Sequence, residues 1–397
     1  MATPLPRPER FALPEGLIYL DGNSLGPLPA GAEARAMRTV SEEWGGQLIR
    51  AWNTADWIGL PEHVGARIAG LIGAQAGSVT AGDTLSIKVH QALSSALAMR
   101  PDRRVILSDS GNFPADLYVA QGLVRALDRG HEIRTPAPED VADAIGPDVA
   151  AVMLTHVDYR SGRVHDMAAI TEAAHAAGAV MIWDLAHSAG AMALEIGRIG
   201  PEFAVGCTYK YLNGGPGAPA FIHVRPDIAD DIAPMLAGWM GHAAPFAMEP
   251  GYRPAAQAAR MRVGTPAVIQ LSILDAALDV WDGVEMEALR AASITLSERF
   301  IAEVEARCPD VTLASPRDAS RRGSQVSFAH PNAFEVMQAL IARGVIGDVR
   351  PPDLMRFGFA PLYLSEADVA AAAAILADVI ASGEWRRPEF AARGRVT

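Results

Sequence analysis

Lysine stands at only two positions of this 397-residue chain, Lys88 and Lys210. The rest of its 34 Lys and Arg residues are arginine. A guanidinium stays protonated, whereas a lysine amine can shed its proton and bond to carbon. Lys210 lies in "GCTYKYLNGGPGAPAFIHV", residues 206–224. Upstream, Asp184 closes the apolar run "VMIWD", and His187 follows in "WDLAHSAGA". Lys210 itself follows the next apolar run, "FAVGCTY". If both runs are strands of one open sheet, acid and amine share a rim outside the carboxyl ends of the strands, where ligands of such sheets gather. An amine that forms a Schiff base, and an acid that keeps a pyridine nitrogen protonated, are what pyridoxal phosphate requires. Each residue alone has an ordinary reading. A strand-end Asp caps a turn, a lone lysine is a solvated charge, and biased base composition makes lysine scarce. The combination, followed by the glycine turn "NGGPG", points to a cofactor site.

The elements that must position these groups follow from the hydrophobic pattern. From about residue 65 to 225, short apolar runs alternate with helical spacing. "RRVILSD" (103–109), "VAAVMLTHV" (149–157), "AVMIWDL" (179–185), "FAVGCTY" (203–209) and "PAFIHV" (219–224) read as buried strands. "PADLYVAQGLVRALDRG" (114–130) and "DMAAITEAAHAAGA" (166–179) read as helices, the second with Asp166 as its cap and Gly178 as its stop. "AGDTLSIKVHQALSSAL" (81–97) reads as a turn leading into a helix. This alternation implies an α/β architecture, a mainly parallel sheet covered by helices on both faces. Beyond about residue 266 one long helical run, "AVIQLSILDAALDVWDGVEMEALRAASITLSERFIAEVEARC", leads into shorter strands such as "SQVSFAH" and more helices. The expected division is a large cofactor domain over 51–265 and a smaller α+β domain over 266–397. Residues 1–50 join the small lobe or cap the site.

Totals exclude several classes. The formal charge of -12 argues against nucleic acid and acidic membrane as partners. Two distant cysteines, Cys207 and Cys308, make neither a disulfide framework nor a metal site, so no metal is expected. The N-terminus has no apolar run that reads as a secretion signal. The Ala-rich "ADVAAAAAILADVIASG" is interrupted by Asp368 and Asp378 and reads as an amphipathic helix, not a membrane span. A cytoplasmic protein is expected. No Gly-x-Gly-x-x-Gly turn follows the first strand, which argues against a nicotinamide cofactor.

The blocks "YLDGNSLGPLP" (19–29), "SGNFPADLY" (110–118), "HVDYRSGRVHDM" (156–167), "WDLAHSAGA" (183–191), the Lys210 block and "GWMGH" (238–242) together resemble the kynureninase family. These blocks span most of residues 19–265. The resemblance implies fold type I of the pyridoxal-phosphate enzymes, class V group, with a seven-stranded sheet. It implies that Lys210 carries the cofactor, that Asp184 pairs with its pyridine nitrogen and that His187 supports its phenolic side. Phe113 would stack on the ring, with Asp116 and Thr155 as polar contacts. Leu85, Ser86 and Tyr209 would hold the phosphate, where a helix N-terminus offers free N–H groups. Tyr209 is also a candidate for proton transfer. Trp239 and Thr265 would reach the site from a second subunit, which makes a homodimer obligatory. Arg356, in "PPDLMRFGFAPLYLS" (351–365), would bind the substrate α-carboxylate, while Trp52, Asn53 and Trp57 would shape its aryl pocket. Lys88 reads as a solvated or phosphate-side charge. The implied reaction is hydrolysis of L-kynurenine, or its 3-hydroxy form, to the anthranilate and L-alanine. Another class V enzyme (aminotransferase, epimerase or desulfurase) or an inactive homologue is the alternative. A desulfurase needs a nucleophilic cysteine on a mobile loop, and neither cysteine suits.

Overall fold

The computed structural model describes residues 5–394. Ile18–Tyr19 forms β1. The main sheet follows as β2 (Val79–Ala81), β3 (Val105–Leu107), β4 (Glu132–Arg134), β5 (Val149–Thr155), β6 (Val180–Asp184), β7 (Phe203–Gly206) and β8 (Phe221–Val224). Its seven strands lie in the order β2-β8-β7-β6-β5-β3-β4. The pairs from β7 through β4 are parallel, while β8 runs antiparallel to both β7 and β2. Every residue of β5, β6, β7 and β8 is buried, so their near-continuous apolar runs match strands covered on both faces. The helices Leu85–Met99, Pro114–Leu127 and Met167–Ala176 supply part of that cover. Asp166 caps the last of these by accepting from the Ala169 amide at 3.0 Å.

The edge strands β2 and β4 escape the hydrophobic pattern. Each has only three residues, and β4 is part-exposed and carries Glu132 and Arg134. The long helical run also divides. Val268–Leu278 ends in a tight turn, Gly283 takes a φ of +73°, and Met286–Arg307 begins afterwards. A left-handed backbone there breaks the helix, and glycine adopts it without a steric cost.

The C-terminal part contributes β9 (Thr312–Leu313), β10 (Gln325–Ala329), β11 (Val345–Ile346), β12 (Asp348–Arg350) and β13 (Leu354–Gly358). An antiparallel sheet has the order β12-β13-β10-β9, backed by Met286–Arg307 and Glu366–Ser382, which pack on one another. The N-terminal β1 pairs with β11 in parallel. One hydrophobic cluster runs from Trp183 and Phe221 through Trp281 to Phe300, Phe328 and Phe357. The two sheets are thereby fixed against a common core. No helix among the described residues is long and apolar enough to cross a membrane.

Candidate active site

Register fixes the rim. Thr155 at the end of β5 lies opposite Asp184 at the end of β6, and Asp184 lies opposite Val205 of β7. Between β7 and β8 the chain reverses through a tight turn. The Asn213 amide donates to the Lys210 carbonyl at 2.9 Å, the Gly214 amide to the Thr208 carbonyl at 2.9 Å, and Thr208 Oγ1 to the Pro219 carbonyl at 2.6 Å. That turn aims Lys210 back over the rim. Its Nζ lies 3.0 Å from His187 Nε2 and 5.8 Å from the centroid of the Phe113 ring. Burial, with Lys210 and Arg356 nearby, pushes the His187 pKa well below the ordinary value. The ring is therefore neutral and accepts from the lysine.

Asp184 is buried, and its Oδ1 accepts the Ala186 amide at 2.7 Å. Asp116, in the first turn of Pro114–Leu127, is buried beside it. Burial and the Asp184 charge push the Asp116 carboxyl well above the usual range. Burial pushes the Asp184 carboxyl up as well, opposed by Lys210 and the Ala186 amide, which favour its charged form. Asp116 is raised the further of the two, so a proton held by the pair favours Asp116. Asp116 Oδ2 and His187 Nδ1 are buried without partners. The Phe113 ring stays 37% exposed, held edge-on by Tyr159 at 5.1 Å. A buried acid pair, an amine, an open aromatic face and unmet polar atoms on one rim fit a flat, ring-nitrogen ligand with an aldehyde. Leu85 and Ser86 open the helix Leu85–Met99, whose first-turn amides have no partner within the helix. Tyr209 is half-buried, and burial, reinforced by Cys207, raises its pKa so that the phenol keeps its proton.

Arg356 is fully buried on β13, opposite Asp348 of β12. Its Nε donates to Asp348 Oδ1 at 2.8 Å, its Nη2 to Asp348 Oδ2 and to Ser24 Oγ at 2.8 Å, and its Nη1 to the Tyr159 carbonyl at 2.6 Å. Tyr159 thus links this guanidinium to the Phe113 side of the rim. Trp52 packs edge-on against Trp57 at 5.8 Å, and Trp57 Nε1 donates to the buried Glu43 at 2.9 Å. Asn53 is exposed on the short helix Ala51–Thr54. Trp239 is 41% exposed, and Thr265 lines a small cavity with Lys88, Asp83 and Arg262. None of these four, Trp52, Asn53, Trp239 and Thr265, hydrogen-bonds by its side chain to Lys210, Asp184 or His187 among the described residues.

Two sequence expectations change in this structure. Lys88 is not a solvated charge; it is wholly buried, and Asp83, Gln91 and the Met261 carbonyl all accept from its ammonium. The "GNSLG" segment also does more than cover the site. The Gly26 amide donates to the Tyr209 carbonyl at 2.8 Å, and a Cβ on Gly26 would fall onto Asn213 and the Lys210 carbonyl. Asn112 went unnoticed in the sequence. Its Oδ1 accepts from Thr155 Oγ1 at 2.5 Å and from the Phe113 amide at 2.8 Å, while its Nδ2 donates to Ser108 at 2.9 Å. Its place directly before Phe113 was the only signal. Ser24, Asp348 and Tyr159 were also missed, because their common partner Arg356 lies far away in sequence.

Known proteins give the same picture. A profile described as "Kynureninase C-terminal domain" matches residues 289–376, and one for the DegT/DnrJ/EryC1/StrS aminotransferase family matches residues 76–206. A protein named kynureninase from Burkholderia pseudomallei (strain 1106a) is 49% identical over 399 aligned residues, which cover 99% of this chain and 96% of that protein. A kynureninase from Pseudomonas fluorescens is 48% identical over the same shares. Among solved structures, a mutant C-DES with glycine covalently linked to its PLP cofactor superposes with a TM-score of 0.82 at 19% identity, covering 94% of this chain and 99% of that one. The apo cysteine desulfurase of Thermococcus onnurineus NA1 gives 0.80 at 18% identity, covering 96% and 100%. At that identity the structures establish the fold.

Proposed function

The chain belongs to the kynureninase family, and from that membership we infer that it is a pyridoxal-phosphate-dependent hydrolase of a carbon–carbon bond. Its reaction is cleavage of L-kynurenine between Cβ and Cγ to anthranilate and L-alanine. The observation that carries this reading is the convergence of Lys210, neutral His187 and buried Asp184 on one rim, with Arg356 joined to that rim through Tyr159.

When bound, pyridoxal phosphate supplies an electron sink for negative charge developing at the substrate Cα. Lys210 is the residue that would carry it, and afterwards the amine that takes the Cα proton. His187, being neutral, can accept that ammonium's hydrogen bond without competing for charge. Asp184 would stand beside the ring nitrogen, with Asp116 packed next to it as the carboxyl of the pair that favours the proton. Phe113 covers one ring face, with Asn112 fixing its backbone. Leu85, Ser86 and Tyr209 take the phosphate, and the protonated Tyr209 is placed to donate during acid–base steps. Arg356 orients the α-carboxylate, and Trp52, Asn53 and Trp57 bound the aryl group. Trp239 and Thr265 complete the phosphate end from a second copy, so the working unit is a homodimer. The protein acts in the cytoplasm on free amino acids of tryptophan breakdown, with 3-hydroxykynurenine as a second substrate to test.

Both cysteines are buried, Cys207 directly behind Tyr209, and burial pushes both thiols up. Neither is a nucleophile that could take sulfur, which separates this chain from the desulfurases that share its fold. The test is incubation of the holoenzyme with L-kynurenine and no keto-acid acceptor. We expect anthranilate fluorescence and an equal yield of alanine. No anthranilate, or release that depends on an added keto acid, would overturn the reading.

A further inference from the structure

Arg356 has almost no donors left for a ligand. Its Nε and both hydrogens of Nη2 go to Asp348 and Ser24, and one hydrogen of Nη1 goes to the Tyr159 carbonyl. Its side chain is 0% exposed. Two parallel N–H groups are needed to grip a carboxylate side by side. Arg356 can offer only one.

Arg350 is different. It lies two residues beyond Asp348 on β12, so both side chains leave the same face of the strand. Its Nη2 donates to Asp348 Oδ2 at 2.7 Å and to Ser24 Oγ at 3.3 Å. Its Nε is buried without a partner, and its side chain is 30% exposed. Two carboxyls, Asp348 and Asp21, face these two guanidiniums, and Arg350 is the one of the pair that reaches the surface. The cluster also sits where a substrate would need it. Tyr159 accepts from Arg356 through its carbonyl and meets Phe113 through its ring, and the Phe113 ring lies 5.8 Å from Lys210 Nζ.

We propose that Arg350 is a second substrate-binding residue, gripping the α-carboxylate together with the remaining Nη1 hydrogen of Arg356. The proposal rests on the amino-acid substrate assigned above. Arg356 is then the buried post of the seat, and Arg350 is its accessible arm.

Arg350→Met and Arg350→Lys holoenzymes test this in two assays. One is steady-state cleavage of L-kynurenine. The other is binding of L-alanine, the carboxylate-bearing product, read as a change in the visible spectrum. For Arg350→Met we expect KM for L-kynurenine to rise about ten-fold or more with a smaller change in kcat, as loss of uniform binding requires. The L-alanine dissociation constant should rise by a similar factor. Arg350→Lys, which keeps the charge, should recover most of the alanine affinity. Unchanged KM and alanine affinity in Arg350→Met overturn the proposal. So does an equal loss in both variants accompanied by an equal fall in thermal midpoint, which marks a structural role. If the wild-type protein binds alanine but cleaves no kynurenine, the assigned reaction fails while the alanine assay still judges Arg350.

Discussion

Lys88 Nζ lies 3.0 Å from Asp83 Oδ2, 3.1 Å from Gln91 Oε1 and 2.9 Å from the Met261 carbonyl. Three acceptors around one point suit an ammonium, whose three hydrogens rotate freely, better than a planar guanidinium. Burial pushes its pKa down and Asp83 opposes that fall. Lys88→Met leaves the Asp83 charge and Gln91 Oε1 short of a donor, while the Met261 carbonyl keeps the Gln91 amide and the part-exposed Asp83 recovers some solvation. We expect a loss of about 2 kcal/mol in chemical denaturation, and Lys88→Arg should lose stability too. Both variants should keep the absorbance at roughly 420 nm that a cofactor bound to Lys210 gives. Lys210→Ala should do the reverse, losing the band with little change in stability. Asp21 makes a second case at this scale. Burial and Asp348 push its carboxyl up to about 7, against the opposing pull of Arg356, Ser24 and Arg350, with Tyr19, Tyr211 and Tyr363 also facing it. Between the ordinary carboxyl pKa and about 7 the folded chain keeps a proton that the unfolded chain has released. Stability therefore falls as pH rises through that window and levels off above it. Asp21→Asn removes this term. Its thermal midpoint should gain on the wild type between pH 5 and pH 8, and a constant gap would refute the assignment.

Scaled up to elements, the site is a set of strand ends and turns held by side chains from elsewhere. Asn112 joins β3's exit, through Ser108, to Thr155 at the end of β5 and to the Phe113 amide. Asn112→Ala removes all three bonds at once, so the Phe113 ring loses its fixed angle. We expect kcat/KM to fall about ten-fold or more, in line with a misplaced contact, whereas Asn112→Asp keeps both acceptor bonds and should lose less. Gly26→Ala should be more damaging, because the new methyl displaces the turn that carries Lys210. These elements differ in how readily sequence reveals them. β5 to β8 are fully buried, so composition alone marks them, and Asp166 announces a helix start with a polar residue before an apolar period. β2 and β4 are three residues long and give no period to detect. Asp184 and Lys210 stand at strand ends and are visible as such. The seat around Arg356 is not, since Ser24 reaches it across 332 positions and hydrophobic periodicity carries only local information. The burial of Lys88 is hidden in part for the same reason: Asp83 and Gln91 are near it in sequence, but its third acceptor, Met261, lies 173 residues away.

Viewed as a whole molecule, the chain leaves large apolar side chains in water on two stretches. Met37, Trp44, Leu48 and Ile49 are exposed near the N-terminus, and Trp239, Phe246, Met248 and Tyr252 are exposed between 239 and 252. Scattered apolar residues mean little, but clusters of this kind mark contact surfaces. The second stretch is fastened from within. The Met240 amide bonds the Val263 carbonyl, Arg262 bonds Glu62 at 3.1 Å and the Ile58 carbonyl at 3.0 Å, and Lys88 holds Met261. A strap anchored on its inner side and apolar on its outer side would suit the second copy that the proposed function calls for. In the homodimer proposed above it carries Trp239 and Thr265 into the partner's site, so each site needs residues from two chains. Lys210→Ala and Trp239→Ala homodimers should each be impaired, because every site in them lacks one required group. Co-expression of the two variants yields hybrid dimers in which one site draws Lys210 from one chain and Trp239 from the other, and the second site lacks both. With random assortment, half the dimers are hybrids and half their sites are intact, so activity should recover to about a quarter of wild type. Recovery no greater than the mean of the two parents would place Trp239 in its own chain's site, or in no site at all.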